Sequence, residues 1–463
     1  MAATDRTVHR ATVPGPADLF ALHRLAPDAY PFLLQSAAGH PQSGRYDILF
    51  ARPGATLQDR SGVLDGYCAG AADFFGGLSA WAAEERTDDT SELPFIGGWF
   101  LLLGYEAAGR IEPRLRLPPS PHALPDLLAV RCSAALIHDH AHAVTYLVAE
   151  GEGAALAQME DDLRWAVAAP GPALPDRIAT AIEEDAPDRF LAGVTRIQEY
   201  LRDGHVFQVN LSRAWRADLA GGVTAADLYA RLRLSNPAPF AGIARWGEST
   251  VLSSSPERLV EVRGREVQTR PIAGTRPRAA DPEADRRLQE QLIASAKERA
   301  EHIMLIDLER NDLGRVCEPG SVTVSELMTL ESYAHVHHIV SNVRGRLRHD
   351  AGPGEVLRAV FPGGTITGCP KVRAMEIIAE LEGVGRGPYT GAMGYLSRNG
   401  RMDLNILIRT AVCEAGRATL RAGAGIVADS QAPAELAETR AKARGLLQAF
   451  GVATPDDGIR GQA

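Results

Sequence analysis

Cysteine is scarce in this 463-residue chain: five are present, Cys68, Cys132, Cys317, Cys369 and Cys413. They are odd in number, far apart and form no C-x-x-C pair, which argues against a zinc site or a redox motif. A reducing cytoplasm is the expected setting. Long apolar runs are missing as well. The longest, near "WFLLLGY", is far too short to span a bilayer. The opening "MAATDRTVHRATVPGP" lacks the apolar core of a signal peptide, so no membrane role is expected. There is no basic cluster: 49 Lys+Arg against 58 Asp+Glu gives 49 − 58 = −9, with the basic residues spread along the chain. A nucleic-acid platform would show a basic face, so none is expected. The nucleophile signatures are absent too, with no G-x-S-x-G and no cysteine in a glutamine-amidotransferase context.

What is present is the composition of a soluble globular enzyme, 45% hydrophobic and 23% charged. The length allows a large core in one composite domain or several. Residues 1–176 read as an amino-terminal region of mixed strand and helix, with "DLFALHRL" helical and "RYDILFARP" and "HAVTYLVAEG" as strands. "AAPGPALPD" serves as a linker. Residues 177–452 form the second region and 453–463 a polar tail. "DRFLAGVTRIQEYLRDG" carries apolar residues at helical spacing and stops at Gly204. "HVFQVNLSRAWRADL", "HVHHIVSNVRGRL", "GAMGYLS", "LNILIRTAVCE" and "ATLRAGAGIV" read as strands. One long helix is expected from the Asp281 N-cap through "LERND", and another from "APAELAETRAKARGLLQAF". Regular βαβ alternation is missing, so the fold class is α+β.

Several constellations can carry chemistry. Glu298 and Glu301 share one helix face; Glu435 and Glu438 share another, with Lys442 one turn on. Carboxylates from two helices can hold Mg²⁺, although a solvated, ion-paired face has the same spacing. Gly423 and Gly425 in "AGAGIVADS" satisfy a loose G-x-G-x-x-A, but Asp429, Ser430 and Pro433 delay the helix a dinucleotide loop requires. The glycines can instead let backbone N–H groups approach a carboxylate, or mark a plain turn. "FPGGTITGCPK" is not a P-loop; its amides and the hydroxyls of Thr365 and Thr367 can line a polar pocket. Arg409 is a charge inside an apolar strand and needs an anion, from the protein or from a substrate. His138, His140 and His142 read as an exposed hairpin tip. His335 and His337 share one strand face and His338 the other. In "EVQTRPIAGTRPR" a strand ends at Pro271 and a turn presents Gly274 and Thr275, with only a methyl group at Ala273.

Taken together, "SSSPERLV", "RPIAGTRPR", "KERAEHIMLIDLERNDLGRV", "HVHHIVS", "FPGGTITGCPKVRAMEII", "GAMGYLS", "ILIRT" and "AGAGIVADS" resemble the chorismate-utilising enzymes across about Phe190 to Phe450. These comprise the component I chains of anthranilate and aminodeoxychorismate synthases and the isochorismate and salicylate synthases. The resemblance implies a large sandwich of two packed β-sheets with helices outside. It implies Glu301 and Glu438 as Mg²⁺ ligands, with Glu298 and Glu435 behind them. Gly425 and its neighbours, including Gly423, would cradle the ring carboxylate, with Lys442 adding charge. Tyr395 and Arg409 would grip the enolpyruvyl carboxylate, and Gly274 and Thr275 would flank the ring. Glu257 would be the acid for the departing 4-hydroxyl, with Thr365 in the same pocket and His338 on the enolpyruvyl side.

Gln208 stands where the water-adding members carry a lysine, which implies ammonia as the nucleophile, supplied by a separate glutamine amidotransferase subunit. The amino-terminal strands, "LPFIGGWFLLLGYEAAGRIE" and "FQVNLSR" with Asn210 resemble the para-aminating members. Ala273 resembles the ortho-aminating ones, since the best-known para enzymes have lysine there. A tryptophan pocket would lie at Ser36, Pro239 and Phe240. A catalytically silent chain that binds tryptophan or a partner is the more distant alternative, against which the intact acid and metal carboxylates argue.

Overall fold

The computed structural model describes residues 7–36, 44–151, 153–169, 173–175, 177–279, 281–332 and 336–451. The tail from 453, His335 and part of the linker lie outside these. Two long strands, Tyr46–Arg60 and Leu127–Asp139, pair antiparallel and join two sheets. One sheet continues through Phe32–Gln35, Phe240–Trp246, Ser249–Ser255, Thr410–Glu414 and Arg417–Ile426 to Gln208–Leu219. The other continues through Gly98–Leu103, Ala392–Ser397, Met402–Ile406, Arg258–Arg263 and Glu266–Thr269 to Val336–Arg346. Both sheets therefore interleave strands from the amino-terminal and carboxy-terminal regions. The hydrogen-bonded ladders cross the boundary near residue 176 rather than respecting it.

Alternation along the strands sorts side chains between layers. In Gly98–Leu103, Phe100 and Leu102 join the core between the sheets, while Trp99, Leu101 and Leu103 face a second core under outer helices. Phe32 and Phe100, one from each sheet, stack with ring centroids 4.0 Å apart in the inner core, a contact worth about 0.5–1.5 kcal/mol beyond its burial. The helices Ala225–Ser235 and Ala432–Ala449 cover the first sheet through Leu228, Leu232, Ala443 and Leu446. The expected α+β sandwich with outer helices is what forms.

Local differences have clear causes. The long helix from Asp281 is two helices, Pro282–Ala294 and Ala296–Gly314. Ser295 breaks it: its backbone leaves helical geometry and its hydroxyl accepts from Glu298 N, a cap worth about 1 kcal/mol. "LNILIRTAVCE" is likewise two strands, and Arg409 sits at the break with φ of +49° rather than inside a strand. The stretch after Pro271 is not an open turn. Ile272–Pro277 pairs with Val336–Arg346, with a bulge between Ala273 and Thr275 where Gly274 has φ of +70°. A bulge re-aims the side chains beside it. His138 is buried in its strand, its Nδ1 3.0 Å from Thr145 Oγ1, so only His140 and His142 are at the exposed tip.

Candidate active site

Glu257 follows the strand Ser249–Ser255 and is 5% exposed. Burial pushes its carboxyl up to about 7, against the Thr365 hydroxyl, the Ile272 N–H and the charges of Arg409 and Lys442. A carboxyl poised there holds a proton near neutral pH, which suits a general acid. Burial also lowers the Arg409 guanidinium, with Glu257 and Tyr389 opposing. His338 is 3% exposed; burial first, then Arg409, lowers it to about 4, so its ring is neutral. Its Nδ1 lies 3.0 Å from Thr275 Oγ1 and 3.4 Å from Gly274 O, which ties the bulge to the Val336–Arg346 strand.

The opposite wall is the strand pair Arg417–Ile426 and Gln208–Leu219, where Gly423 faces Ser212 and Gly425 faces Asn210. Gly423 and Gly425 lie within the strand, not in a loop. A Cβ on Gly425 would come within 2.6 Å of Gln208 Nε2, and one on Gly423 within 2.5 Å of Asn210 Oδ1 and 3.0 Å of Tyr389 Oη. Only glycine leaves this room. Gln208 Oε1 and Asn210 Oδ1 are buried without a hydrogen-bonding partner among the described residues. Buried polar atoms are almost always paired, so two orphans on one strand mark a surface built to bind something polar.

Four carboxylates from two helices stand at the mouth. Burial raises Glu301 to about 7, with Lys297 opposing and Glu298, Glu438 and Glu435 adding to the rise. Glu435 is also raised, by burial first. Protein cations stand against the set: Arg276 is 3.1 Å from Glu298, Lys297 3.9 Å from Glu301 and Lys442 2.6 Å from Glu438. Lys442 also donates to Gly423 O at 3.0 Å, linking the mouth to the glycine strand. Among the described residues no three His, Cys, Asp or Glu side chains converge closely enough to enclose a metal. The set nevertheless fits Mg²⁺, which takes one or two carboxylates and completes its shell with waters and substrate oxygens. Glu301 and Glu438 would be those carboxylates.

Only three of the 49 basic residues are lysine. Lys297 and Lys442 stand at this mouth, and Lys371, at the end of the Gly-rich loop, pairs with the buried Asp312 at 2.5 Å. Two of the chain's three ammonium groups thus stand at this mouth.

Most of the residues expected for the site are brought together. Tyr395 is not. It is buried in the core between the sheets against Phe95, and its charged neighbours are Asp403, Glu261 and Arg258. The tyrosine beside Arg409 and Gly423 is Tyr389, in the turn "GRGPYTG". A tyrosine in a Gly/Pro-rich connection was the available signal, since site residues favour loops held by a rigid scaffold. Ser36, Pro239 and Phe240 do meet. Ser36 N donates to Asp47 Oδ1 at 2.8 Å and Ser36 Oγ to Pro239 O at 3.3 Å, while Arg258 lies over the Phe240 ring at 5.1 Å. Gln35, next to Ser36, donates to Asp47 and accepts from Tyr229, so the polar groups of this spot bind one another.

A buried acid, a buried arginine, unpaired polar atoms and a carboxylate-lined mouth define an enzyme site for a small polyanion. The comparisons with known proteins agree. The chain belongs to the chorismate binding enzyme family, whose model matches residues 30–448. It is 41% identical to anthranilate synthase component 1 of Thermus thermophilus, covering 91% of this chain and 92% of that one. It is 37% identical to aminodeoxychorismate synthase component 1 of Bacillus subtilis, covering 92% and 93%. The solved anthranilate synthase component I of Streptococcus pneumoniae superposes with a TM-score of 0.78 at 33% identity, covering 88% and 93%.

Proposed function

We propose that the chain aminates chorismate with ammonia, in the presence of Mg²⁺, to give 4-amino-4-deoxychorismate, the precursor of para-aminobenzoate in folate synthesis. The observation that carries the amination is Gln208: a buried, uncharged amide with an unpartnered oxygen at the wall facing Gly425. An amide has no basicity with which to activate water, but its oxygen can accept a hydrogen bond from ammonia.

Glu257, protonated near neutral pH, gives its proton to the departing ring hydroxyl, which leaves as water. A carbon–nitrogen bond replaces the carbon–oxygen bond, and the proton lost by the entering ammonia restores the carboxyl. Arg409 and Tyr389 take the enolpyruvyl carboxylate, the backbone at Gly423 and Gly425 the ring carboxylate, and Lys442 adds positive charge. Bound between Glu301 and Glu438, Mg²⁺ would neutralise the ring carboxylate. Ammonia comes from a separate glutamine amidotransferase subunit in this reading, and the protein works in the cytoplasm.

The para product is supported by the resemblance of the amino-terminal strands and of the Asn210 strand. One observation favours anthranilate instead: Ala273 offers no amine for a covalent intermediate at its bulge. The product separates the two. Purified protein is incubated with chorismate, Mg²⁺ and an ammonium salt at mildly alkaline pH, and the products are separated with mass detection. Aminodeoxychorismate, convertible to para-aminobenzoate by added lyase, is expected; anthranilate would overturn the reading.

A further inference from the structure

Arg386 lies between the helix Lys371–Glu382 and the strand Ala392–Ser397, and it is 1% exposed. Its Nε and Nη2 bind the Glu382 carboxylate at 3.1 and 2.6 Å. The remaining donors go elsewhere: Nη2 to Asn210 O at 2.7 Å, and Nη1 to Ile366 O at 3.0 Å and to Thr390 Oγ1 at 3.3 Å. Asn210 is on the strand that carries Gln208, and Ile366 sits between Thr365 and Thr367 in the Gly-rich loop. One guanidinium thus spans the backbones of two walls of the site.

Glu382 does not require Arg386 alone for neutralisation. Arg421 Nη2 binds it at 2.7 Å, and Ser212 donates from both N and Oγ. A buried ion pair is also a weak source of net stability. The distinctive use of Arg386 is its planar fork, which holds two carbonyls at a fixed separation as an ammonium cannot. Arg386 is itself held from the amino-terminal region. Glu106 accepts from Arg386 N at 2.7 Å and from Gly387 N at 3.2 and 3.1 Å, and Tyr105 N donates to Gly387 O at 2.8 Å. A Cβ on Gly385 would come within 2.8 Å of Glu106 Oε1, so the loop closes on the carboxylate with no side chain between.

We propose that Arg386 is a positioning residue for the amination, setting the Gly-rich loop against the Gln208 strand, and that Glu106 clamps it from the amino-terminal region. The inference rests on the amination reading only for which kinetic constant moves. Asn210 and Gln208 form the ammonia side and Thr365 borders the acid; Arg409 and Lys442 bind the substrate carboxylates from other elements, and of the carboxylate-binding groups Tyr389 alone shares the Arg386 loop, its N–H donating to Arg386 O at 3.2 Å. Arg386→Lys and Glu106→Gln therefore lower kcat by about tenfold or more and raise the KM for ammonium. The KM for chorismate rises less than the KM for ammonium, because Arg409 and Lys442 are held from elsewhere.

The test uses the full chain and follows chorismate loss, product identity and thermal unfolding. A second readout, hydrogen exchange at Asn210, whose N–H donates to Thr367 O at 2.8 Å, is expected to speed up in both variants. A lower Tm with unchanged kcat per folded protein and unchanged Asn210 protection overturns the proposal. If Arg386→Lys fails to fold, Glu106→Gln decides. If the wild-type product is not the para amine, the function reading fails, while the ratio of variant to wild-type turnover still judges Arg386. If the wild type consumes no chorismate, the exchange measurement alone does so.

Discussion

Glu382 and Glu301 are both helical glutamates drawn away from water, and they end in opposite states. Burial disfavours the Glu382 carboxylate, but Arg386, Arg421 and Ser212 outweigh it and hold it below the usual carboxylate range. Glu301 is less buried yet rises to about 7, because Lys297 is outweighed by burial and three neighbouring glutamates. The first cluster is saturated by the protein itself; the second carries a surplus of negative charge. Closed charge accounts for structure, whereas a surplus awaits a ligand, and the contrast separates scaffold from site within one molecule.

The sharpest test of the contrast removes an acid from each side. Glu257→Gln should lower chorismate turnover by about 10²- to 10⁴-fold, the range for a lost general acid. The Tm should hold, since one buried neutral group replaces another. Glu382→Gln should do the reverse first. It strands two buried arginines and should cost about 3–5 kcal/mol in a denaturant titration, as breaking one side of a buried pair does. Equal effects of the two changes on stability would erase the distinction.

Glu301→Gln should weaken Mg²⁺ affinity at least about 10- to 100-fold, the loss seen even for residues behind metal ligands. Its stability effect has a definite sign. The folded carboxyl titrates at about 7, above its unfolded value, so the folded state binds more protons and wild-type stability falls as pH rises toward 7. In chelator at pH 8 the variant should melt no lower than the wild type. For the wild type, titration calorimetry should show Mg²⁺ affinity falling below pH 7, as Glu301 takes up its proton. A flat profile would count against Glu301 as a ligand. The smallest effect expected is from Ala273→Lys, which should lower any anthranilate released beside the para product; an unchanged anthranilate fraction removes position 273 as the selector.

The helical and strand periodicities were legible in the chain, and so were the carboxylate pairs at i, i+3 and the crowd of ordered motifs. Glu298, Glu301, Glu435 and Glu438 are local patterns, and local patterns follow from 3.6-residue spacing alone. The break at Ser295 was less visible, because a serine with helix formers on both sides is either a cap or a helical residue until packing chooses. Tyr395 and Tyr389 show the limit more clearly. Tyr389 lies in a Gly/Pro-rich turn and Tyr395 inside the strand that follows, and the turn is only a hint of which faces Arg409. The pairing of Ala392–Ser397 with Gly98–Leu103 buries Tyr395 between the sheets, and it is a contact across nearly 300 residues.

The amino acids by themselves determined an α+β chain with a polyanion site and the identities of the groups that could act. Tertiary structure decided which of them meet: the two walls bridged by Arg386, the orphaned oxygens of Gln208 and Asn210, and the surplus charge at Glu301. The physical reason is that burial and long-range contacts set pKa values and hydrogen-bond satisfaction, and both depend on residues far away in the chain.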